Sequence, residues 1–458
     1  EMCIRDRSAG WLLLAGLGVS YVISGDFSGW NLGMAHGGFG GLLIAFGLMG
    51  LMYTCMVFGL AEMSSALPTA GAGYGFARRA LGKLGGYATG IAILIEYSIA
   101  PAAISVFIAG YIESLGLFPG LPSIAIYGLC FALFISIHLV GVGEALKVMF
   151  GITAIALVAL IAFAVGMIPH FDAANLFNLA ADGSAGSSAF LPFGFNGVLA
   201  ALPFGIWFFL AVEGVPLAAE EADNPQKDMP RGIIAAVTVL VITGLTVLFL
   251  CPGGAGAALM SESGAPPPDA LNAVGETGLA TFVNYAGLAG LIASFFSIVY
   301  AYSRQLFALS RAGYLPRFLS VTSSRKTPIW ALIVPGAIGF LLAAILQNGD
   351  ILINIAVFAA ASSYALMNLS HIVLRIKEPD LPRSYRTPGG VVTTGIAFVL
   401  SCVAIVATFF VDPVAAGCAA AVWAAFIAYF LVYSRKHLVA NAPEEEFAHL
   451  SAAEDELR

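Results

Sequence analysis

The 458-residue sequence predicts an all-α membrane protein of twelve spans, on three observations. Hydrophobic residues make up 59% of the chain and charged ones only 10%, with a mean hydropathy of +0.91. Apolar runs of roughly 20 residues recur, each long enough to cross about 30 Å of hydrocarbon. All 20 Lys and Arg residues fall on one side of the resulting topology. Loops facing the cytoplasm keep Lys and Arg because translocating them is unfavourable. An even number of spans then puts both termini in the cytoplasm.

The spans run in order over 9–35, 40–66, 85–111, 121–140, 144–168, 197–222, 232–252, 280–305, 328–346, 350–374, 391–411 and 414–433. Each is expected as a helix, because an isolated strand cannot satisfy its backbone in lipid. Basic clusters such as Arg78, Arg79 and Lys83 after the second span, and Arg375 to Arg386 after the tenth, separate even spans from the next odd ones. Two outer loops are longer, about 169–196 and 253–279, the latter holding Pro266, Pro267 and Pro268. The tail over 434–458, with APEEEF and AAEDELR, is acidic and reads as a solvated cytoplasmic end. Residues 1–7, EMCIRDR, do not blend into the first span, resemble sequencing-adapter read-through and are given no functional weight.

Composition excludes several classes. A net charge of −7 does not imply nucleic acid. The six cysteines show no C-x-x-C spacing and, Cys3 apart, sit in or beside apolar spans, so they read as small hydrophobes. No metal cluster and no G-x-S-x-G nucleophile motif appears, so neither a cofactor nor an enzyme is expected.

Two spans are interrupted. The first reads VISGDFSGWNLG, with Ser24, Gly25, Asp26, Ser28, Gly29 and Asn31 inside an apolar run. The sixth reads FGIWFFLAVEGVPLAAEEADNP, with Trp207, Phe208, Phe209, Leu210, Glu213, Gly214 and Pro216. The breaks lie five spans apart, in halves of opposite orientation. Paired breaks of this kind point to an inverted-repeat transporter with its site at mid-membrane. The expected organisation is a first repeat over 8–168, a second over 197–376 and two further spans over 391–433. Glycine and proline are common in membrane helices, which accounts for either break alone but poorly for both in register.

Three segments carry a family resemblance. AEMSSALPTAGAGYGFARRALG, AEEADNPQKDMPRG and SRQLFALSRAGYLPRFLS resemble the signatures of the amino acid–polyamine–organocation permeases. Within them, SGDFSGWNLG and LPFGIWFFLAVEGVPLAAEEADNPQKDMPRG look most like the ethanolamine permeases. The resemblance implies the leucine-transporter-like fold, secondary active transport and a place in the bacterial cytoplasmic (inner) membrane. Amino acid carriers of that family typically hold the substrate carboxylate on a G-S-G stretch. Gly29, Trp30 and Asn31 are taken as the matching stretch here, with Trp30 in place of the Ser.

These features suggest a cationic substrate. An ionised Asp26 would repel a carboxylate by about 4 kcal/mol at 4 Å and an effective dielectric near 20, and attract an ammonium by as much. The expectation is therefore import of a small amine, ethanolamine above all, with an amino acid permease as the alternative. Asp26 could also simply cap the following half-helix. Phe208 and Phe209 are packing or cation–π candidates. Trp207 matches a gating aromatic of the family. Glu213 and Glu96, the latter near the middle of span 3, are coupling candidates, because an acid inside the membrane is a functional hypothesis by default. Glu62, His138 and His371 lie near span ends and read as structural. Lys147 stands too early in span 5 to replace a sodium ion, and Ser294 and Ser297 are candidate hydroxyls of a sodium-type site, so H+ or Na+ remains open as coupling ion.

Overall fold

A computed structural model describes residues 10–67, 71–141 and 143–455; side chains of 143–147, 219–221 and 454–455 are outside the description. Residues 1–7 and the side chain of Lys147, both read above from sequence, therefore lie outside the described residues. The described chain is helical, apart from one isolated bridge between Thr322 and Pro328.

The helices follow the apolar runs closely. They are α1 (Trp11–Val22), α2 (Ser24–Phe27), α3 (Leu32–Ala66), α4 (Ala72–Ser114), α5 (Ser123–Val140), α6 (Gly143–Met167), α7 (Gly194–Trp207), α8 (Pro225–Ala255), α9 (Ala257–Glu262), α10 (Pro266–Ala273), α11 (Thr277–Arg311), α12 (Ile329–Leu346), α13 (Gly349–Lys377), α14 (Val391–Val411), α15 (Pro413–Val432) and α16 (Pro443–Asp455). Eleven helical stretches among the described residues are long and apolar enough to cross a membrane. At 12 residues α1 is too short to cross alone. The expected first span falls on α1, α2 and the first turns of α3. α3 bends at Gly38, where φ is +65°, and only then runs back across.

Both interruptions are backbone events. α2 ends at Phe27, Ser28 is extended, and α3 begins at Leu32. α7 ends at Trp207 and gives way to a 3₁₀ segment, Val212–Glu221, before α8 starts on Pro225. α13 packs along α4, α3 along α7 and α11 against α6, so the two interruptions lie inside the bundle. Outer helices show the opposite pattern. Ile345 of α12, Val414 and Val432 of α15 are 74%, 73% and 75% exposed, as lipid-facing apolar side chains are.

Two expectations about the ends of the bundle need correction. The loop around Pro266, Pro267 and Pro268 is helical: the prolines open α10, where the missing N–H costs nothing, and all three are buried. The acidic tail is not simply solvated. Residues 443–455 form α16, and Glu446 is buried against Arg78, whose Nε lies 2.7 Å from Glu446 Oε2, and against the Tyr74 hydroxyl. Burying Glu446 is tolerable because Arg78, itself buried, supplies the opposite charge. Arg79 bonds Glu378 and Glu444 beside it.

The same face holds a second polar lock. Glu62 ends α3 and receives Arg375 Nη2 at 2.6 Å, Arg383 Nε at 2.8 Å, His371 Nε2 at 3.1 Å and the Thr387 N–H at 2.7 Å. His138 packs on Phe296 and bonds the Phe134 carbonyl. The cysteines among the described residues are free.

Candidate functional site

The two breaks touch. A Cβ on Gly25 would stand 2.5 Å from the Trp207 carbonyl oxygen, so only glycine lets α2 approach the end of α7 this closely. Gly29 has φ +94°, a conformation glycine takes at little cost, and turns the chain toward α3. Trp207 Nε1 donates to the Ser28 carbonyl at 3.0 Å, clamping the break. The Trp207 ring meets Phe107 edge-on at 6.0 Å. Above it opens a cavity of about 300 Å³, lined by Ser28, Asn31, Phe107, Glu113, Glu262 and Asp350. It lies on the side of the bundle away from the Lys and Arg clusters. Asn31 Nδ2 donates to the Met260 and Ser263 carbonyls at 2.8 and 2.9 Å, tying the α9 turn over the break.

The donors and acceptors of the first break are unequally satisfied. Its carbonyls are taken by side chains: Trp30 Nε1 on Asp26 O, the Tyr111 hydroxyl on Phe27 O and Trp207 Nε1 on Ser28 O. Gly29 N–H is taken by Asn31 Oδ1 at 3.2 Å. The N–H groups of Trp30 and Asn31, at the start of α3, have no backbone acceptor among the described residues. A helix N-terminus with free amides favours an anionic group.

Several sequence expectations shift in position. The break centres on Ser28 and Gly29, not on Gly29–Asn31, because Trp30 already belongs to the turn into α3. The small Ser of the break is Ser28, and Trp30 is a buried side chain whose ring lies 5.7 Å from that of Phe208, tilted by 30°. Asp26 does not cap α3: neither carboxylate oxygen has a hydrogen-bond partner among the described residues. It lies beside Thr243 of α8, whose hydroxyl is donated to the Val239 and Leu240 carbonyls. Ser24 bonds Ser294 at 2.9 Å, Ser20 bonds Ser297 at 2.9 Å, and Ser294 donates to the Tyr21 carbonyl at 2.7 Å. Those four hydroxyls thus stitch the first span to α11. No group of three or more His, Cys, Asp or Glu that could hold a metal occurs among the described residues.

Behind the second break, Phe208 and Phe209 join Phe46 at 4.9 and 5.3 Å, and Phe209 reaches Tyr53 at 5.1 Å. Leu210 is buried beside them. Glu213 and Glu96, from different helices, come together on one hydroxyl. Tyr364 Oη lies 3.1 Å from Glu96 Oε1 and 3.1 Å from Glu213 Oε2. Tyr97 donates to Glu213 Oε1 at 3.0 Å and Tyr53 donates to Tyr364 at 2.8 Å. Both acids are buried. Two full charges held about 4 Å apart would repel by about 4 kcal/mol at an effective dielectric near 20. Sequence reasoning missed Tyr53, Tyr97 and Tyr364. The one local signal was Tyr97 directly following Glu96.

The chain matches the amino acid permease family over residues 12–439. Similar proteins include an uncharacterized transporter of Rhizobium meliloti, 29% identical over 86% of this chain and 84% of the relative. The branched-chain amino acid permease BcaP of Bacillus subtilis is 29% identical over 95% of this chain and 94% of its own. The methylthioribose transporter of Bacillus subtilis is 29% identical over 95% of both chains. The protein is a multi-pass membrane transporter, not an enzyme, and belongs to the amino acid permease family within the amino acid–polyamine–organocation superfamily.

Proposed function

We propose that the protein imports a neutral amino acid with an apolar side chain, by alternating access at the two helix breaks. One observation carries this reading: the carbonyls of the first break are already bonded, whereas the amides of Trp30 and Asn31 have no backbone acceptor among the described residues. That pattern suits a carboxylate, which ethanolamine lacks. The carbonyl end of α7, facing Gly25, suits the ammonium. Trp30, Phe208 and Phe209 offer an apolar wall for the side chain. The relative named as a branched-chain amino acid permease agrees with this class. The Lys and Arg clusters support a cytoplasmic position for the α16 face, in a bacterial inner membrane.

A small cationic amine such as ethanolamine is the second reading. It is favoured by the buried Asp26 carboxylate, which lacks a hydrogen-bond partner among the described residues. Uptake into proteoliposomes separates the two. Labelled L-leucine, L-isoleucine and L-valine should be taken up saturably, with excess ethanolamine a poor competitor. Uptake of labelled ethanolamine that excess leucine does not inhibit would reverse the order of the two readings.

A further inference from the structure

We propose that the groove between α12 and α15 binds an anionic phospholipid of the leaflet on the Lys and Arg side, with one acyl chain inside it and the headgroup on Arg317, Arg435 and Lys436. The groove is a cavity of about 730 Å³, within the range of about 300–1,000 Å³ typical of small-molecule sites. Its floor is buried and comprises Ile91 and Leu94 of α4, Leu306 of α11 and Leu315 just after it. Its rims face outward, with Ile338 of α12 and Val422 of α15 each 48% exposed. Among the described residues that line it, only Ser98, Cys418 and Tyr429 carry a side-chain heteroatom. The Ser98 hydroxyl is already donated to the Leu94 carbonyl at 2.6 Å. A polar solute would give up its hydration there with little in return, so the groove suits hydrocarbon. Bulk lipid tails are as apolar as the groove, so any selectivity must come from the headgroup end.

Length and charge fix the orientation of the lipid. Along α15 the lining runs from Cys418 to Tyr429, about 16 Å at a rise of about 1.5 Å per residue. That is half of about 30 Å of hydrocarbon, the depth of one leaflet. The basic end forms where the chain after α11 meets the chain after α15. Ser434 Oγ donates to the Tyr314 carbonyl at 2.7 Å, and the Val439 N–H to the Ala312 carbonyl at 3.1 Å. Pro316 lines the groove and Arg317 follows it directly. Tyr429 lines it as well and stacks on Tyr433 at 5.4 Å, beside the 3₁₀ turn Ser434–Lys436. Arg317, Arg435 and Lys436 are exposed, and none of them forms an ion pair among the described residues. No Lys or Arg occurs over 327–374 or 387–434, so α12 and α15 bring no basic residue to the other end, at Leu342 and Cys418. Basic side chains at the cytoplasmic edge of a groove between membrane helices favour anionic headgroups. Arg317 and Arg435 can each present a two-donor fork to a phosphate, and Lys436 a point charge. None of these residues belongs to the helix breaks, so the proposal does not depend on the substrate reading.

The test uses the full chain, delipidated in detergent and titrated with phosphatidylglycerol or with phosphatidylcholine of the same acyl chains. Native mass spectrometry counts bound lipid and reports the oligomeric state, and a melting curve reports folding. Wild type should hold one phosphatidylglycerol per protomer, at least about tenfold more tightly than phosphatidylcholine. Phosphatidylglycerol should also raise its melting temperature. Arg317→Gln, Arg435→Gln and Lys436→Gln together change only exposed side chains and should abolish the preference between the two lipids. Ala425→Trp places an indole in the groove from an exposed position of α15 and should weaken phosphatidylglycerol binding at least about tenfold. Equal affinity for the two lipids in wild type, or an undiminished preference in the triple Gln variant, would overturn the proposal at the headgroup. Undiminished phosphatidylglycerol binding in folded Ala425→Trp would overturn it at the groove. A wild-type dimer that excludes the lipid, and that Ala425→Trp splits into monomers, would overturn it by giving the groove to a second copy of the chain.

Discussion

Replacing Gly29 by Ala tests the geometry of the first break at its narrowest point. The residue has φ +94°, where an L side chain costs about 1–2 kcal/mol relative to glycine. The added Cβ would also stand 2.5 Å from Trp207 Nε1, 2.9 Å from Trp207 Cδ1 and 3.0 Å from Ile353 Cδ1. Such contacts force the indole to move. Its hydrogen bond to the Ser28 carbonyl, 3.0 Å long, would then be lost, at about 0.5–1.5 kcal/mol. Together the penalties reach about 2–3 kcal/mol, enough to reduce binding at the break by about 30-fold or more. The assay pairs leucine uptake with a thermal shift on purified protein. Gly47→Ala is the control, because Gly47 lies inside α3 with no atom within 4 Å of the added Cβ. Gly29→Ala should lose most uptake and melt a few degrees lower, while Gly47→Ala should match wild type. A Gly29→Ala protein that transports and melts like wild type would refute the claim that Gly29 and Trp207 together shape the site.

Three further outcomes follow from the same structure. Asp26→Asn should change leucine uptake by less than about threefold, since the carboxylate lies beside Thr243 on α8; a tenfold loss would promote the cationic-amine reading. Glu62→Gln should lower the melting temperature strongly, because Arg383 is 4% exposed and a broken buried ion pair costs about 3–5 kcal/mol; an unchanged melting curve would show the lock is idle. Single cysteines placed in 175–190 should react with an impermeant reagent added outside intact cells, and those in 377–386 should not; the reverse pattern would invert the proposed orientation.

The spans were legible because hydropathy and helix length are local properties. Val391–Val411 and Ile329–Leu346 coincide with the expected spans to within one residue. The breaks were legible too, since glycine, serine and an acid inside an apolar run weaken a continuous helix and leave polar groups that lipid cannot satisfy. What the sequence hid is direction and distance. Asp26 sits in the break, but the side of a four-residue helix that it occupies depends on how α2 meets α8. Tyr53, Tyr97 and Tyr364 belong to three helices and converge only through tertiary packing. The tail misled for a similar reason. A run of three glutamates reads as solvated, and only docking on Arg78 distinguishes Glu446 from its neighbours. Consecutive prolines read as a loop, although at the first positions of α10 they suit a helix.

Strain is stored where the second break adjoins the carboxyl pair. Ala211 has φ +80°, a conformation that costs an L residue about 1–2 kcal/mol and persists only when its surroundings enforce it. It lies between Leu210, on the aromatic side of the break, and Glu213, on the carboxyl side. Any motion that releases Ala211 alters the turn that holds Phe209 to Val212, because the Val212 N–H donates to the Phe209 carbonyl and the Gly214 N–H to the Ala211 carbonyl. The segment carrying Glu213 is thus poised by its own backbone, while the partner groups Glu96 and Tyr364 sit within the helical stretches of α4 and α13. In the proposed transport cycle, a substrate filling the break acts directly on this turn. The response then needs no long pathway, only a short strained turn beside the occupied break.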